Sequence, residues 1–514
     1  MPDAQAPSVV SLMDTTLRDG EQTPQLAFTA AEKLHIARAL LIDLGVNRIE
    51  VASTCVSDGE LDAARRIVTW ARDAGCLERV ELLAFCDGER SPRWMGELGG
   101  GAMNLLLKGS EDHCRRQLGL TPEAHLEALE RTVLSARELG VRVAGAYLED
   151  WSRGACDAPG YVRAAITRLR DLHVPRVYLA DTLGCLSPAG VAELVGRMVA
   201  EFPDVHFEFH GHNDYGLATA NALAAVSAGA RGVHTSVNGL GERAGNARLG
   251  EVAVALRDHT DVHHGVQEAA LARLSTLVET FSGKLVADNT PIVGRDVFTQ
   301  TAGVHADGDR KGGLYETRLS PERFGRRRDY ALGKLAGRAS LDQNLERLGI
   351  ALSPGERDRL LARVVELGDQ KRVVHPGDLP FLINDLLGQP DSDLRVADYT
   401  VTVRSGERAF AEVTLEVGER RAIAGSDGAG GYDAVMAALR SAAGELGVRV
   451  PRLADFRVRI PPGGGASSLV ETAIQWGEGV EAFTTVGVDP DQIGAAVIAT
   501  EKMLRLVAAP AAAD

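Results

Sequence analysis

Residues 206–214 read HFEFHGHND, an alternating run of strand character that ends in two histidines, His210 and His212, two positions apart. Side chains at i and i+2 of a strand point to one face, so both imidazoles can close on a single cation. How often this unit recurs decides the fold. From residue 9 to about 258, short apolar runs alternate with amphipathic stretches. The strand candidates are VVSLMD (9–14), RIEVAS (48–53), VELLAFC (80–86), AMNLLLK (102–108), RVAGAYLE (142–149), RVYLAD (176–181), HFEFHGH (206–212) and GVHTSVN (232–238). Helix-like segments such as AAEKLHIARALLIDLG (30–45) and GVAELVGRMVAEF (190–202) lie between them, apolar at intervals of three and four. Eight strand-then-helix units in this span predict a closed (β/α)8 TIM barrel, with a doubly wound open sheet as the alternative.

Working outward, 514 residues with 45% hydrophobic and 25% charged content exceed one ordinary domain. A formal charge of −15 argues against nucleic acid or an anionic membrane as a general partner, and fits an enzyme of small molecules. The six cysteines all precede residue 186 and none is in CxxC spacing, which reads as reduced, mostly buried thiols of a cytoplasmic protein. The start MPDAQAPSVV lacks a basic region followed by an apolar core, and no apolar run approaches a membrane span.

The expected organisation is an α/β chain: a catalytic barrel over 1–258, mixed linker subdomains over 259–390, and a C-terminal α+β domain over 391–514. In the last span, DYTVTVRS and FAEVTLEVGERRAIAG precede the helix-like GYDAVMAALRSAAGELG. Then DFRVRIPPG, LVETAIQWG and VEAFTTVGV precede DQIGAAVIATEKMLRLVAA. Strands followed by one helix occur twice, so the tail reads as duplicated βββα units with a regulatory or assembly role.

Barrel active sites sit at the C-terminal strand ends, so the polar residues just after each apolar run are the ones to collect. The first strand leads into DTTLRDGEQT (14–23), the fifth into YLEDW, the sixth into ADTLG, the seventh into HGHND, and the eighth into NGLGERAGN (238–246). At one rim, Asp19, His210 and His212 supply a carboxylate and two imidazoles for a divalent ion, with Asn246 nearby. Each motif alone has a plainer reading as a solvated turn; together they favour metal. His234, inside a strand, reads as a hydrogen-bonded barrel residue.

DTTLRDGEQT, HGHND and NGLGERAGN, in this order, resemble the signatures of the acyl-CoA condensing family that includes the isopropylmalate, homocitrate and citramalate synthases. The likeness extends through TAGVHADGD (301–309) and the duplicated tail. It implies a metal held by Asp19, His210, His212 and Asn246 (Mn, Mg, Zn or Co), a 2-oxo acid and acetyl-CoA as substrates, and a Claisen-type condensation. Arg18 is implied to contact the keto oxygen, Glu149 to orient Arg18 or assist proton transfer, and Thr182 to hold the substrate carboxylate. His305, Asp307 and Tyr315 read first as part of a Gly-rich surface loop. By the resemblance they reach over the barrel mouth of the partner subunit in a homodimer, as candidates for acid/base work or water activation.

Leu83, Leu106 and Tyr147 match the family's specificity pocket; barrel core is their plainer reading. As a pocket they are large and favour pyruvate, hence citramalate, over 2-oxoisovalerate, the substrate of the leucine-pathway alternative. VFTQTAGVHADGDRKGGLYE and RIPPGGGASSLVET point the same way, while Ala429 reads as an extra residue before the first tail helix and Gly313 stands where a polar side chain is common. The tail is implied to bind an amino-acid effector, isoleucine by pathway logic, near Tyr432, Asp433 and Gly464. The rival readings are a carbon–carbon lyase of the same barrel, which generally lacks such a tail, and an amino-acid sensor without catalysis.

Overall fold

The computed structural model describes residues 9–312, 314–369, 374–387, 394–459, 470–477 and 482–508; Gly313 and Gly464 lie outside these. The chain divides into two compact units, 1–297 and 298–514.

In the first unit, the strands are β1 (Ser11–Asp14), β2 (Arg48–Ser53), β3 (Val80–Phe85), β4 (Ala102–Lys108), β5 (Arg142–Glu149), β6 (Val177–Asp181), β7 (Phe207–Gly211) and β8 (Gly232–Thr235). They pair in sequence order, all parallel, and β8 returns to β1 through Ser11↔Gly232 and Asp14↔Thr235, so the sheet is a closed barrel. The open-sheet alternative is thereby excluded.

The helices around it are α1 (Ala30–Arg38), α2 (Asp58–Asp73), α3 (Arg90–Leu98), α4 (Glu111–Gln117), α5 (Pro122–Glu138), α6 (Trp151–Asp157), α7 (Pro159–Asp171), α8 (Pro188–Glu201), α9 (Ala218–Ser227), α10 (Leu249–His259) and α11 (Leu271–Ser282). Their starts are written in the sequence. Thr29 and Glu32 form a reciprocal capping box on α1, while Thr121–Pro122 and Ser187–Pro188 place a hydroxyl cap and a proline at the first turns of α5 and α8. Beyond residue 258, α11 stays with this unit: Asn238 Nδ2 donates to Ser275 O at 2.9 Å, and Ser275 Oγ to Asn238 Oδ1 at 2.6 Å.

The barrel interior is filled by charge rather than by aliphatic layers alone. Arg48 of β2 crosses the lumen to Glu208 of β7 and also meets Glu81 of β3 at 3.0 Å. Asn104 bridges Glu81 and Glu50 at 3.0 and 2.8 Å, and Tyr178 donates to Asn104 at 3.0 Å. His234 is indeed a barrel residue, 3.1 Å from Glu208. Removing one partner from such a buried network typically costs about 3–5 kcal/mol, so it forms a rigid floor for the mouth above.

In the second unit, β9 (Thr299–Gln300) and β10 (Asp329–Tyr330) form a small parallel pair, with α12 (Gly303–Arg310) between them in sequence. TAGVHADGD is therefore largely helical, against its reading as a loop. Helices α13 (Arg338–Arg347), α14 (Pro354–Asp369) and α15 (Leu379–Leu387) share a core of Leu341, Leu360, Val364 and Leu379.

Two antiparallel sheets follow, each closed by a helix. One is β11 (Leu394–Thr402), β12 (Ala409–Val417) and β13 (Arg420–Gly428) with α16 (Gly431–Leu446). The other is β14 (Leu453–Arg459), β15 (Val470–Trp476) and β16 (Phe483–Asp489) with α17 (Gln492–Ala508). The duplicated βββα reading is met, and one core containing Val413, Leu439, Ile474 and Trp476 serves both halves. Among the cysteines, Cys76 and Cys114 are buried, Cys55 and Cys86 intermediate, and Cys156 and Cys185 exposed; all are free thiols. The expectation of mostly buried thiols fails at the helix and loop positions Cys156 and Cys185. No helix among the described residues is long and apolar enough to cross a membrane.

Candidate active site at the barrel mouth

The strand ends converge the expected metal-binding side chains. Asp19 Oδ2 lies 3.1 Å from His210 Nε2 and 3.8 Å from His212 Nε2, and the two Nε2 atoms are 3.3 Å apart. Asp19, His210 and His212 form one buried cluster with potential ligand atoms within 4.8 Å of one another. Two imidazoles and a carboxylate meeting through their electron-donating atoms make a donor set that suits a divalent cation. Burial lowers the His212 imidazole to about 4, despite the pull of Asp19, so it is neutral and free to donate a lone pair. Burial alone would raise the Asp19 carboxyl, but Arg18 and the two histidines hold it well below its ordinary value.

Asn246 lies in the loop after β8, and its backbone bridges to that of His212. Its Nδ2 donates to Leu240 O at 3.0 Å, and its buried Oδ1 has no hydrogen-bond partner. The glycines of GLGERAGN make this turn possible. A Cβ on Gly245 would stand 1.8 Å from Gly239 O, and one on Gly241 would stand 2.4 Å from Asn246 Nδ2. Within the turn, Arg243 is held at φ 55, and its guanidinium grips Asp214 at 2.8 Å and Thr182 O at 2.7 Å, tying the β6, β7 and β8 loops together.

Arg18 is oriented by a residue the sequence reading missed. Its Nε donates to Glu50 Oε2 at 2.5 Å, and its Nη2 lies 3.4 Å from Tyr147 OH, which itself donates to Glu50 at 3.2 Å. Burial alone would lower the guanidinium, but Glu50 and Asp19 raise it above its ordinary value, so it is a fixed cation. The signal lies in RIEVAS, where a glutamate interrupts a buried apolar strand, but it precedes the C-terminal strand end where barrel sites gather their polar residues.

Glu149, expected to orient Arg18 or to transfer protons, does not pair with Arg18. Its carboxylate binds the ammonium of Lys108, a second missed residue, which ends AMNLLLK. Thr182 Oγ1 accepts from Asp150 N at 2.8 Å, which leaves its hydroxyl proton free to donate. Leu83 and Tyr147 pack with Met13 and Tyr178 into one cluster, with Leu106 against it. Of the remaining rim residues, Glu21 pairs with Lys33 at 2.5 Å and accepts from Phe28 N, a structural role. Burial raises Asp14 to about 7, opposed by its bond from Thr16.

His305, Asp307 and Tyr315 belong to the second unit. The His305 and Tyr315 rings lie 4.3 Å apart between centroids, and Asp307 pairs with Lys311 at 2.5 Å. In the tail, Tyr432 is tied to the second half by its own contacts. Its hydroxyl bonds Thr500 Oγ1 at 2.6 Å and its ring stacks on Phe456, while Asp433 accepts from Ala429 N at 2.8 Å.

Comparison with known proteins places this geometry in a lineage. Residues 9–278 match the HMGL-like family, 292–372 the homocitrate synthase post-HMGL domain-like family, and 373–507 the LeuA allosteric (dimerisation) domain. A Methanopyrus kandleri protein named with the (R)-citramalate synthases is 35% identical over 466 residues, 90% of this chain and 89% of that one. Another from the same organism, named with the 2-isopropylmalate synthases, is 36% identical over 474 residues, 91% and 92% of the two chains. Homocitrate synthase of Sulfolobus acidocaldarius is 36% identical over 359 residues, 69% and 74% of the two.

Proposed function

From the premise that this chain belongs to the acetyl-CoA-dependent 2-oxo acid condensing synthases, the family of the isopropylmalate, homocitrate and citramalate enzymes, we propose that it condenses acetyl-CoA with pyruvate to give (R)-citramalate and CoA. The observation that carries the choice of pyruvate is the packing of Leu83, Leu106 and Tyr147 with Met13 and Tyr178. On this reading the large side chains border the substrate's alkyl group and admit little beyond a methyl, and steric overlap rejects a branched acid more strongly than the loss of a contact would. Catalysis is assigned to 1–258, a linking role to 259–390, and effector binding to 391–514.

A divalent ion held by Asp19, His210, His212 and Asn246 would supply Lewis-acid polarisation of the keto group. The side chains account for the rest. Arg18, fixed by Glu50, donates to the keto oxygen as negative charge grows there. Thr182 donates its hydroxyl proton to the substrate carboxylate. Glu149 takes a proton from the acetyl-CoA methyl, and the carbon so freed of its proton attacks the keto carbon. Water then cleaves the thioester, releasing CoA; His305, Asp307 and Tyr315 are assigned to activate that water. The enzyme works as a homodimer under an amino-acid effector, a reading supported by the LeuA allosteric (dimerisation) domain match; isoleucine is the effector assigned, by the logic of a pathway that starts from citramalate.

The second reading, 2-oxoisovalerate as acceptor in leucine biosynthesis, is favoured by the relative named with the 2-isopropylmalate synthases. CoA release with pyruvate, 2-oxobutyrate, 2-oxoisovalerate and 2-oxoglutarate, each with and without chelator, separates the two. Chelator-sensitive turnover greatest with pyruvate is expected. A preference for 2-oxoisovalerate overturns the pocket while keeping the mechanism, and no turnover with any acid favours a sensing protein.

A further inference from the structure

The pairing of Lys108 with Glu149 is unusual in its placement. The two residues stand opposite each other in register at the ends of β4 and β5, so their side chains leave the same face of adjacent strands. Lys108 is 6% exposed. Its backbone is pinned from behind: Tyr161 OH donates to Lys108 O at 2.9 Å, and His125 Nδ1 lies 2.9 Å from the same hydroxyl. Across the strand ends, Gly109 N donates to Glu149 O at 2.6 Å. A Cβ on Gly109 would meet the Leu148 carbonyl at 2.9 Å, so this close approach needs glycine.

Four titratable groups near Lys108, Cys86, Cys114, His125 and Tyr161, are held neutral by burial. Burial pushes the Cys86 thiol up to about 12, lowers His125 to about 4, and raises the Tyr161 phenol above its ordinary range. Cys114 on α4 is likewise raised by burial. The carboxylate hydrogen-bonded to the buried ammonium is that of Glu149, and the bond uses Oε2.

We propose that Lys108 is a positioning residue: it holds Oε2 of Glu149 so that Oε1 is presented to the methyl carbon of acetyl-CoA. This rests on the condensation reading above. In the step so positioned, a methyl C–H bond breaks and its proton passes to Oε1. The electron pair left on carbon forms the new C–C bond to the keto carbon, and the keto π pair moves to oxygen. That oxygen then takes up the proton from Glu149, directly or through solvent, which restores the carboxylate. Lys108 itself exchanges no proton.

The test compares wild type, Lys108→Gln and Lys108→Arg, with each 2-oxo acid and with acetyl-CoA carrying either a normal or a trideuterated methyl group. Gln removes the charge and shortens the reach; Arg keeps the charge. For Lys108→Gln, kcat is expected to fall roughly tenfold to a hundredfold, part of what a positioned base contributes, with both KM values within about threefold. The deuterium isotope effect on kcat is expected to grow, because proton removal becomes slower than the other steps. Lys108→Arg is expected to keep kcat within about fivefold of wild type, with the wild-type isotope effect.

A folded Lys108→Gln protein with unchanged kcat, or with a lower kcat and an unchanged isotope effect, overturns the proposal while wild-type turnover leaves the condensation intact. If Lys108→Gln does not fold, Lys108→Arg decides, since a loss beyond about a hundredfold with the wild-type isotope effect also overturns it. A wild type inactive with every 2-oxo acid removes the condensation reading and this proposal with it.

Discussion

At the residue scale, the site combines a metal-donor cluster with one immobilised cation. Losing a single preorganised donor to a developing oxyanion typically costs about 100- to 1,000-fold in kcat, so Arg18→Gln is expected to lose that much and also to melt at a lower temperature, because the buried Glu50 loses its cation. Steady-state kinetics alongside thermal unfolding checks it. Asp19→Asn keeps the shape but removes the charge between His210 and His212. Metal per chain, measured by elemental analysis after dialysis, is expected to fall from about one to near zero. Leu83→Ala opens the pocket cluster and is expected to raise the ratio of 2-oxoisovalerate to pyruvate in kcat/KM by roughly 10- to 200-fold.

Asp19, Arg18, His210 and His212 were legible because short motifs at strand ends announce themselves. Glu50 and Lys108 were not: each belongs to an apolar strand run, and only the closed barrel shows that its charge faces a partner from elsewhere around the mouth. Of the two roles expected of Glu149, the orienting of Arg18 falls to Glu50 instead.

At the element scale, the eight strands were readable because parallel barrel strands are short apolar runs between helices. The additional helices α4 and α6, and the helical form of α12, were harder to read. Seven- and eight-residue helices rich in glycine or charge carry little periodicity.

The barrel unit also buries histidines that are neutral when folded, which costs it stability in acid. His125 is lowered to about 4 and His234 to about 3, both by burial. Their unfolded forms bind protons below about 6.5, while the folded forms resist. The unfolded state therefore gains protons first, and stability falls as pH drops from about 6.5 towards 4 for His125 and 3 for His234. The His125 share is on the order of 3 kcal/mol across its window. The melting temperature is expected to fall over this range, and less steeply in His125→Asn; equal slopes would show that His125 does not carry the effect.

At the scale of the whole molecule, the two βββα halves share one core, and Tyr432 on α16 is bonded to Thr500 on α17. The repeat was legible from order alone; the shared core was not, because packing between halves leaves no pattern within either. Light scattering is expected to give twice the chain mass, and isoleucine, but not leucine, to bind in calorimetry and lower turnover. A monomer, or leucine binding in preference, would contradict the assignment of the tail.

On the proposed function the barrel mouth joins two carbons rather than merely cleaving a thioester. Carbon NMR of a reaction with pyruvate and acetyl-CoA labelled at the methyl carbon tests it most directly. The label is expected in the methylene of 2-hydroxy-2-methylbutanedioate, formed in step with CoA. Label recovered as free acetate, with pyruvate unchanged, would contradict it.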